Sequence, residues 1–347
     1  MPPRVTDMKP SVRAKFRQRV ATAVFLIVVL GSARGQNFKY HSFAPAGSRG
    51  TYPGVIDALS EVGGFYFDAR LVMHGFFRAG GGAIFTIDPP GSGGTVVRGI
   101  DANGDIAGYY QDQATFYHGF LRSHSGQYVS FDAATGSTLT IPLAMNSGGQ
   151  ITGFFADSQH ITHGFVRHPD GAVIPFDPQG SKSTIATSIN QSSQIAGYYT
   201  DSSQVQHGFV RGTGGAVQSF DPSGSVKTLP TAMNGSGQIV GFYLDAGQVQ
   251  HGFLRNADGT ILSIDPSGST LTNLTGISPD GVIVGYYRRG SIDQHGFLRK
   301  SDGIIVSFDP PGSTETIPSG INGAHVVVGN ENSQNGLYRG FVFFAPL

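Results

Sequence analysis

The sequence contains no cysteine and no tryptophan, and only 13% of its 347 residues are charged. Without cysteine the chain has no disulfide, no thiol nucleophile, no cysteine-ligated zinc and no lipid attached to cysteine. The 23 Lys and Arg residues balance the 23 Asp and Glu residues, which gives a formal net charge of zero. That balance argues against a broad electrostatic surface for nucleic acid or for an anionic membrane.

Glycine is abundant, with 51 residues, roughly twice average usage. Apolar residues make up 39% of the chain, which is enough for a packed core. Beyond residue 35 no segment shows the sustained 3.6-residue apolar period of an amphipathic helix. These features predict an all-β fold.

The N-terminal segment has the order of a secretory signal peptide. Residues 1–19 carry six Lys or Arg residues and one Asp, and an apolar run from Val20 to Leu30 is followed by small residues. The run is too short for a comfortable membrane span, which needs about 20 residues. We therefore predict a leader over residues 1–35, cleaved between Ala33 and Gln36, and a secreted or periplasmic protein. The alternative is an uncleaved N-terminal anchor.

The rest of the chain is a repeat. A His-Gly-Phe tripeptide recurs every 44 or 45 residues and a seventh copy reads Arg339-Gly340-Phe341; the six full copies begin at His74, His118, His163, His207, His251 and His295. A threonine recurs at the same period, as Thr51, Thr95, Thr140, Thr184, Thr228, Thr272 and Thr316. Fixed periods of this length are typical of repeat architectures.

Each repeat contains four short runs of β-branched and aromatic residues separated by turn residues. In the fourth repeat these runs are Thr184–Asn190, Gln194–Tyr199, His207–Arg211 and Ala216–Phe220. Four antiparallel strands in about 44 residues match one blade of a β-propeller. We predict that residues 36–347 form one domain, a seven-bladed propeller of four-stranded antiparallel blades.

The two ends of the repeat region complement each other. The last repeat ends soon after Phe341 and lacks its own fourth run, whereas Phe38 to Ser48 matches the pattern of Ile304 to Ser313. We predict that this N-terminal strand completes the last blade and closes the ring, which removes two exposed sheet edges.

The repeated motifs also resemble a known family. Gly281-Val282-Ile283-Val284-Gly285-Tyr286-Tyr287 and His251-Gly252-Phe253-Leu254-Arg255 are similar to those of the HAF-repeat family of extracellular proteins, which is named for a His-Ala-Phe tripeptide. Here glycine replaces that alanine throughout. The resemblance covers residues 37–347 and implies a secreted protein; it supplies no catalytic residues.

Five repeats place an aspartate six residues before the histidine, as Asp68/His74, Asp112/His118, Asp157/His163, Asp201/His207 and Asp245/His251. Such pairs could form a metal ring or acid–base pairs. However, the third strand lies about 10 Å outside the innermost strand, so these histidines cannot converge on one ion. We interpret them as structural hydrogen-bonded pairs and expect neither a metal nor a cofactor.

The aspartates that end each fourth run are expected to cap turns by accepting backbone N–H groups; they are Asp88, Asp132, Asp177, Asp221, Asp265 and Asp309. The repeated Gly108 and Gly197 are expected to permit close packing or a bulge.

Residues outside the repeat pattern are the candidates for function. The loops between blades should border the mouth of the channel and carry Arg49, Arg98, Lys182, Lys227 and Glu315. The loops between second and third strands should share that face and add Arg70, Tyr117, His160, Arg288 and Arg289. The alternative for each is an ordinary solvated loop residue. A glycosidase would need two carboxylates, and Glu315 is the one extra carboxylate in the loops between blades.

These observations favour a secreted, monomeric, non-catalytic propeller that binds a polar ligand or partner, either a glycan or a protein, on its loop face. Two alternatives stay open: a secreted hydrolase or lyase with its active site at the channel mouth, and a structural surface protein. The sequence does not determine the ligand or the oligomeric state.

Overall fold

The structure, a computed structural model, describes residues 27–33, 36–290, 293–333 and 336–345, with side chains from residue 38 onward. Every regular element in these ranges is a β-strand, in agreement with the predicted all-β fold. Within the same ranges there is no helix with the length and apolar character needed to span a membrane.

Two strands come first, β1 (Ile27–Ala33) and β2 (Gln36–Phe43). Unit 1 contains β3 (Gly50–Ile56), β4 (Val62–Phe67), β5 (Met73–Arg78) and β6 (Ile84–Ile87). Unit 2 contains β7 (Gly94–Ile100), β8 (Ile106–Gln111), β9 (Tyr117–Arg122) and β10 (Tyr128–Phe131). Unit 3 contains β11 (Leu139–Met145), β12 (Ile151–Ala156), β13 (Thr162–Arg167) and β14 (Val173–Phe176).

Unit 4 contains β15 (Ser183–Ile189), β16 (Ile195–Thr200), β17 (Gln206–Arg211) and β18 (Val217–Phe220). Unit 5 contains β19 (Ser225–Met233), β20 (Ile239–Asp245), β21 (Gln250–Arg255) and β22 (Ile261–Ile264). Unit 6 contains β23 (Leu271–Ile277), β24 (Ile283–Arg288), β25 (His295–Arg299) and β26 (Ile305–Phe308). The terminal unit contains β27 (Ser313–Ile321), β28 (Val326–Ser333) and β29 (Tyr338–Phe344).

Within a unit each strand pairs antiparallel with the next, and the first strand carries a bulge. In unit 4 the register between β15 and β16 shifts between Ala186 and Ser188, so Thr187 is the extra residue. Gly197 lies opposite this bulge, where an added Cβ would meet the carbonyl oxygen of Ile185 at 2.1 Å. The predicted role of this glycine in a bulge is confirmed, and the strand bounds of unit 4 match the prediction to within one residue.

The His-Gly-Phe tripeptide supplies the packing centre of each unit. Its phenylalanine is fully buried, as Phe209 is in unit 4, with no exposed surface. In unit 4 its glycine lies under the aromatic ring of the fourth strand: a Cβ on Gly208 would approach the Phe220 ring to 2.8 Å. In units 1 and 5 an isoleucine ends the fourth strand, and a Cβ on the glycine would meet its carbonyl oxygen at 2.5 and 2.7 Å. In both cases there is no room for a methyl group at this position of the tripeptide.

Successive units lie side by side through their first strands. These contacts join β3 to β7, β7 to β11, β11 to β15, β15 to β19, β19 to β23, β23 to β27, and β27 to β3. Aromatic pairs join the units farther out: Phe176 of β14 meets Phe209 of β17 with ring centroids 6.0 Å apart. This succession of four-stranded antiparallel units is the arrangement of a β-propeller.

The terminal unit receives its fourth strand from the N-terminal end of the repeat region. β2 pairs antiparallel with β29, with Phe43 opposite Gly340 and His41 opposite Val342. Phe38 is fully buried and packs edge-on against Phe343 at 5.1 Å. The strand therefore occupies the position that Phe220 and its neighbours occupy in unit 4.

β1 extends this unit by one more strand, pairing with the outer edge of β2 from Ile27 opposite Ser42 to Ala33 opposite Gln36. The predicted cleavage segment therefore coincides with the β1–β2 connection, whose residues 34 and 35 lie outside the described residues. Cleavage there would remove β1 and leave β2 in place. Residues 1–26 of the predicted leader also lie outside the described residues, and the leader stays a prediction.

A polar residue caps the turn after each first strand and often reaches the next unit. Asn190 accepts backbone N–H from Gln194 through Oδ1, and its Nδ2 donates to the carbonyl of Asn234 at 3.3 Å. Asn322 of the terminal unit likewise donates to the carbonyl of Asp57 in unit 1 at 2.9 Å. Unit 1 has Asp57 at this position, and a carboxylate cannot donate a hydrogen bond to the next unit.

We expect Asp57→Asn to stabilise the protein at pH 8 by about 2 kcal/mol. Burial, aided by the charge of Glu61 and opposed by backbone hydrogen bonds, raises the pKa of Asp57 to about 6. A raised carboxyl pKa gives stability that is full below the unfolded value and is lost as the pH rises from about 4 to 6. Urea denaturation at pH 4 and pH 8 checks this; an equal gain at both values would contradict it.

Candidate functional site

The predicted loop residues lie in different structural settings. Arg49 and Lys182 are exposed and immediately precede β3 and β15, whereas Lys227 and Glu315 lie inside the first strands β19 and β27. The prediction that Lys227, Glu315 and Arg98 lie in loops is therefore wrong, since all three lie in first strands. Arg98 lies farthest from the loop, inside β7 at the bulge between Val97 and Gly99. Its guanidinium is 5.9 Å from the Tyr109 ring.

The remaining candidates lie around the loops between second and third strands. His160 is exposed in the β12–β13 turn, and Tyr117 is the first residue of β9, with its ring 6.1 Å from that of Tyr109. Arg70 and Arg289 are exposed, while Arg288 ends β24.

The carboxylate of Glu315 accepts a hydrogen bond from the Tyr338 hydroxyl at 2.6 Å.

In units 1 to 5 the repeated histidine lies between two aspartates. In unit 4 the Nδ1 of His207 lies 2.7 Å from Asp221 Oδ2, and its Nε2 lies 3.5 Å from Asp201 Oδ2. The aspartate six residues upstream, predicted as the partner, is thus the more distant of the two. The closer partner is the aspartate at the end of the fourth strand, which was predicted only as a turn cap.

The Nδ1 contact recurs in every unit that carries the histidine, and the Nε2 contact recurs in units 1, 2, 3 and 5. The Nδ1 contacts measure 2.6–2.9 Å and join His74–Asp88, His118–Asp132, His163–Asp177, His251–Asp265 and His295–Asp309. The Nε2 contacts measure 3.4–3.7 Å and join His74–Asp68, His118–Asp112, His163–Asp157 and His251–Asp245.

The network extends into the neighbouring unit. Thr228, the repeated threonine of β19, donates from its hydroxyl to Asp221 Oδ1. Tyr199 lies against the His207 ring at a centroid distance of 5.3 Å and bonds Ser219 through its hydroxyl at 3.1 Å. Asp, His, Asp and Thr therefore connect a loop of unit 4 with the first strand of unit 5. No three His, Asp or Glu side chains in the described ranges are arranged to hold a metal ion.

Electrostatics favour the charged forms of this network. Partial burial opposes a charge on His207, but the hydrogen bonds and charges of Asp221 and Asp201 outweigh it and raise its pKa. The pKa of Asp201 is lowered, first by the backbone N–H of Val205 and further by His207. The ion pair is thus favoured at mildly acidic pH.

We expect His207→Ala to lower the free energy of unfolding by about 1–3 kcal/mol at pH 6, because two aspartates lose their partner. A raised histidine pKa gives stability that is full below about pH 6.5 and is lost as the pH rises through the folded value. The difference from the parent protein should therefore shrink toward pH 9. Urea denaturation measures it, with His124→Ala as the control, since the His124 side chain is 72% exposed.

The same aspartates fix the loops between second and third strands. Asp201 Oδ1 accepts the backbone N–H groups of Ser203 and Val205 at 2.8 and 2.9 Å. Three residues after the aspartate the backbone is left-handed in five units, with φ between 61° and 69°, at Leu71, Thr115, His160, Gln204 and Gln248. One capped backbone thus presents four kinds of side chain, Leu, Thr, His and Gln, at the same position of five units.

Two of these loops border a polar cleft between units 4 and 5. It has a volume of about 420 Å³ and is lined by Thr200, Gln204, Gln206, Val226, Lys227, Leu244 and Gln248. Gln206 and Lys227 both line the cleft, and the parallel pairing of their backbones holds the two units together there. Among the predicted charged candidates, Lys227 is the one that lines this cleft. The glutamines were not singled out from the sequence, although their position three residues after the aspartate was a usable signal.

Proteins of known structure with a similar backbone include β-propellers. The β-propeller domain of the Trilobed protease from Pyrococcus furiosus, described as having an open velcro topology, gives a TM-score of 0.60 at 12% identity, covering 85% of this chain and 94% of that one. The BP39L lectin from Burkholderia pseudomallei gives 0.54 at 10% identity, covering 86% and 98%. Puromycin hydrolase gives 0.57 at 11% identity, covering 83% of this chain and 51% of the hydrolase.

Identities this low concern the fold alone, and they agree with the propeller arrangement of the units. No protein-family model matches the sequence, and no curated protein sequence matches it either. The resemblance to the HAF-repeat family therefore rests on the repeated motifs.

Proposed function

We propose that this protein is a secreted or periplasmic, non-catalytic seven-bladed β-propeller that binds a polar ligand or partner, a glycan or a protein, on its loop face. The blades are units 1 to 6 and the terminal unit, and β2 closes the ring. Closure is supported by the pairing of β2 with β29 and by the contact of β27 with β3. The sequence of the leader supports export.

The observation that carries the binding proposal is the set of loops with one backbone and different side chains. A scaffold that holds variable residues in constant positions suits recognition, because binding needs little further ordering of the loops. The cleft formed by Gln204, Gln248 and Lys227 supplies amide and ammonium groups for hydrogen bonds to a polar ligand. The equivalent loops of units 1 and 2 expose apolar residues, Leu71 at 70% and Phe116 at 44% exposure, which extend the loop face for a larger partner.

A glycan array probed with the purified protein tests the proposal, followed by calorimetric titration of the strongest binder. We expect Lys227→Ala and Gln248→Ala to weaken binding about tenfold each, the usual consequence of losing one good polar contact. Lys300→Ala, at a turn on the opposite end of unit 6, is the control. Unchanged affinity in both cleft variants would contradict the assignment of the cleft. Release of a cleaved glycan would favour the hydrolase or lyase.

A further inference from the structure

An arginine ends the third strand in units 1 to 6 and, at four junctions, lies over an aromatic ring of the preceding unit. The guanidinium carbon is 4.8–5.0 Å from the ring centre in the pairs Arg78–Phe43, Arg167–Phe131, Arg211–Phe176 and Arg255–Phe220. Such stacking stabilises the cation and joins neighbouring units. It does not use the hydrogen-bonding capacity of the guanidinium.

Arg255, at the junction of units 4 and 5, keeps much of that capacity free. It is only 4% exposed, yet within the described residues its Nε has no acceptor. Its Nη1 donates to the carbonyl of Asn256 at 3.2 Å, and its Nη2 lies 3.5 Å from Gln218 Oε1, a long contact. A buried guanidinium with an N–H group that has no acceptor favours an additional acceptor.

A recess of about 280 Å³ lies beside this arginine. Val210, Val217 and Ala257 contribute apolar surface, while Gln194, Gln218 and Arg255 contribute polar groups. The recess is lined by residues from the turns after first and third strands, at the end of the units opposite the loops that carry Gln204 and Gln248. It is therefore separate from the cleft around Lys227.

Gln218 departs from the repeat. The corresponding residues of the neighbouring fourth strands are apolar and exposed: Val129 at 52%, Ile174 at 45% and Leu262 at 48%. Among the four stacked junctions, this one thus combines the buried arginine and its phenylalanine with an amide side chain.

The charge around the recess favours a neutral ligand. Burial lowers the pKa of Arg255, and the nearby carboxylate of Asp258 partly offsets that effect. The positive charge of the guanidinium is thus partly balanced by that carboxylate. The other polar side chains of the recess are uncharged amides. Apolar surface beside several hydrogen-bond donors matches a sugar ring, which has C–H faces and an equatorial belt of hydroxyls.

We propose that the recess between β18 and β21 binds a neutral pyranose ring, with the guanidinium of Arg255 and the amide of Gln218 donating to its hydroxyl oxygens. The C–H face of the ring packs on Val210 and Val217. This site does not depend on the function proposed for the loop face, since the two share no lining residue.

Saturation-transfer NMR with methyl α-D-mannopyranoside, methyl β-D-galactopyranoside and methyl α-L-fucopyranoside tests the proposal on the full protein. At least one glycoside should bind with a dissociation constant on the order of 1 mM. Gln218→Ile, which introduces the residue found in unit 3, should weaken that binding about tenfold without unfolding the protein. Arg255→Lys should weaken it similarly, because lysine does not reproduce the planar guanidinium.

Two control variants show whether the glycoside occupies this recess. Arg211→Lys removes the equivalent stack at the junction of units 3 and 4 and should leave glycoside binding unchanged. Lys227→Ala, in the loop-face cleft, should leave unchanged the part of the glycoside binding that Gln218→Ile and Arg255→Lys remove. No binding of any of the three glycosides, or binding that survives Gln218→Ile and Arg255→Lys, would overturn the proposal. Loss of binding in Lys227→Ala alone would assign the glycoside to the loop face, and this result would also overturn the proposal.

Discussion

Deleting residues 38–43 is expected to lower the free energy of unfolding by at least about 5 kcal/mol and to cause aggregation. The segment buries three aromatic side chains, Phe38, Tyr40 and Phe43, each at most 2% exposed. Full burial of one such side chain contributes roughly 1.5–3 kcal/mol. The deletion also removes the backbone pairing with β29 and leaves that strand as an open edge, which is a template for intermolecular pairing.

The segment also joins the terminal unit to unit 1. The Phe43 ring lies 5.9 Å from the ring of Phe76, and the Arg78 guanidinium lies 5.0 Å above it. With no cysteine in the chain, no disulfide can replace these contacts. Both neighbours of β2 should therefore lose packing when it is removed.

Thermal unfolding and light scattering measure the two effects. The control compares a chain that begins at residue 27 with one that begins at residue 36: losing β1 removes its pairing with the outer edge of β2 and leaves the pairing of β2 with β29 intact. That deletion should lower the melting temperature much less. A 38–43 deletion that melts within a degree or two of the parent protein, and stays monomeric, would contradict the closed ring.

The sequence was sufficient to predict the four-stranded repeat, because period, turn residues and strand-length apolar runs are local signals. It also predicted that the strand around Phe43 takes the place of the missing fourth strand, because the run matches Ile304 to Ser313. Neither inference needs knowledge of side-chain contacts between units.

The partner of the repeated histidine was assigned less well. A six-residue spacing drew attention to Asp201, yet the β17–β18 register pairs Gly208 with Phe220 and so brings Asp221 opposite His207. The 14-residue spacing is as regular as the six-residue one, and an antiparallel hairpin accounts for it directly. The assignment from sequence therefore failed because it did not consider the register of the β17–β18 hairpin.

Contacts between units could not be inferred from the repeat. The stack of Arg255 on Phe220 and the cleft around Lys227 depend on how closely neighbouring sheets approach and twist. The position of Arg98, in contrast, could be inferred, because Arg98 is equivalent to Thr187, which lies inside the predicted run Thr184–Asn190. A period in sequence specifies which positions are equivalent, whereas the distance between equivalent positions is a property of the fold.

Gly197→Ala is expected to lower the free energy of unfolding by about 3–5 kcal/mol, at the upper end of single substitutions. The new Cβ would lie 2.1 Å from the carbonyl oxygen of Ile185 and 2.9 Å from the Cα of Ala186. Both atoms belong to the backbone of β15 next to its bulge, so relief requires moving the innermost strand. The glycines at the same position of the other units would meet a carbonyl oxygen at 2.0–2.3 Å.

The matched control is Gly214→Ala, in the turn between β17 and β18, where a Cβ would have no neighbour within 4 Å. Both substitutions add one methyl group to the same unit, and they differ in what that group meets. Calorimetry should show a melting temperature lower by roughly 5–15 °C for Gly197→Ala and nearly unchanged for Gly214→Ala. Equal melting temperatures for the two variants would mean that β15 can move away from β16 at little cost, and that the bulge does not require glycine.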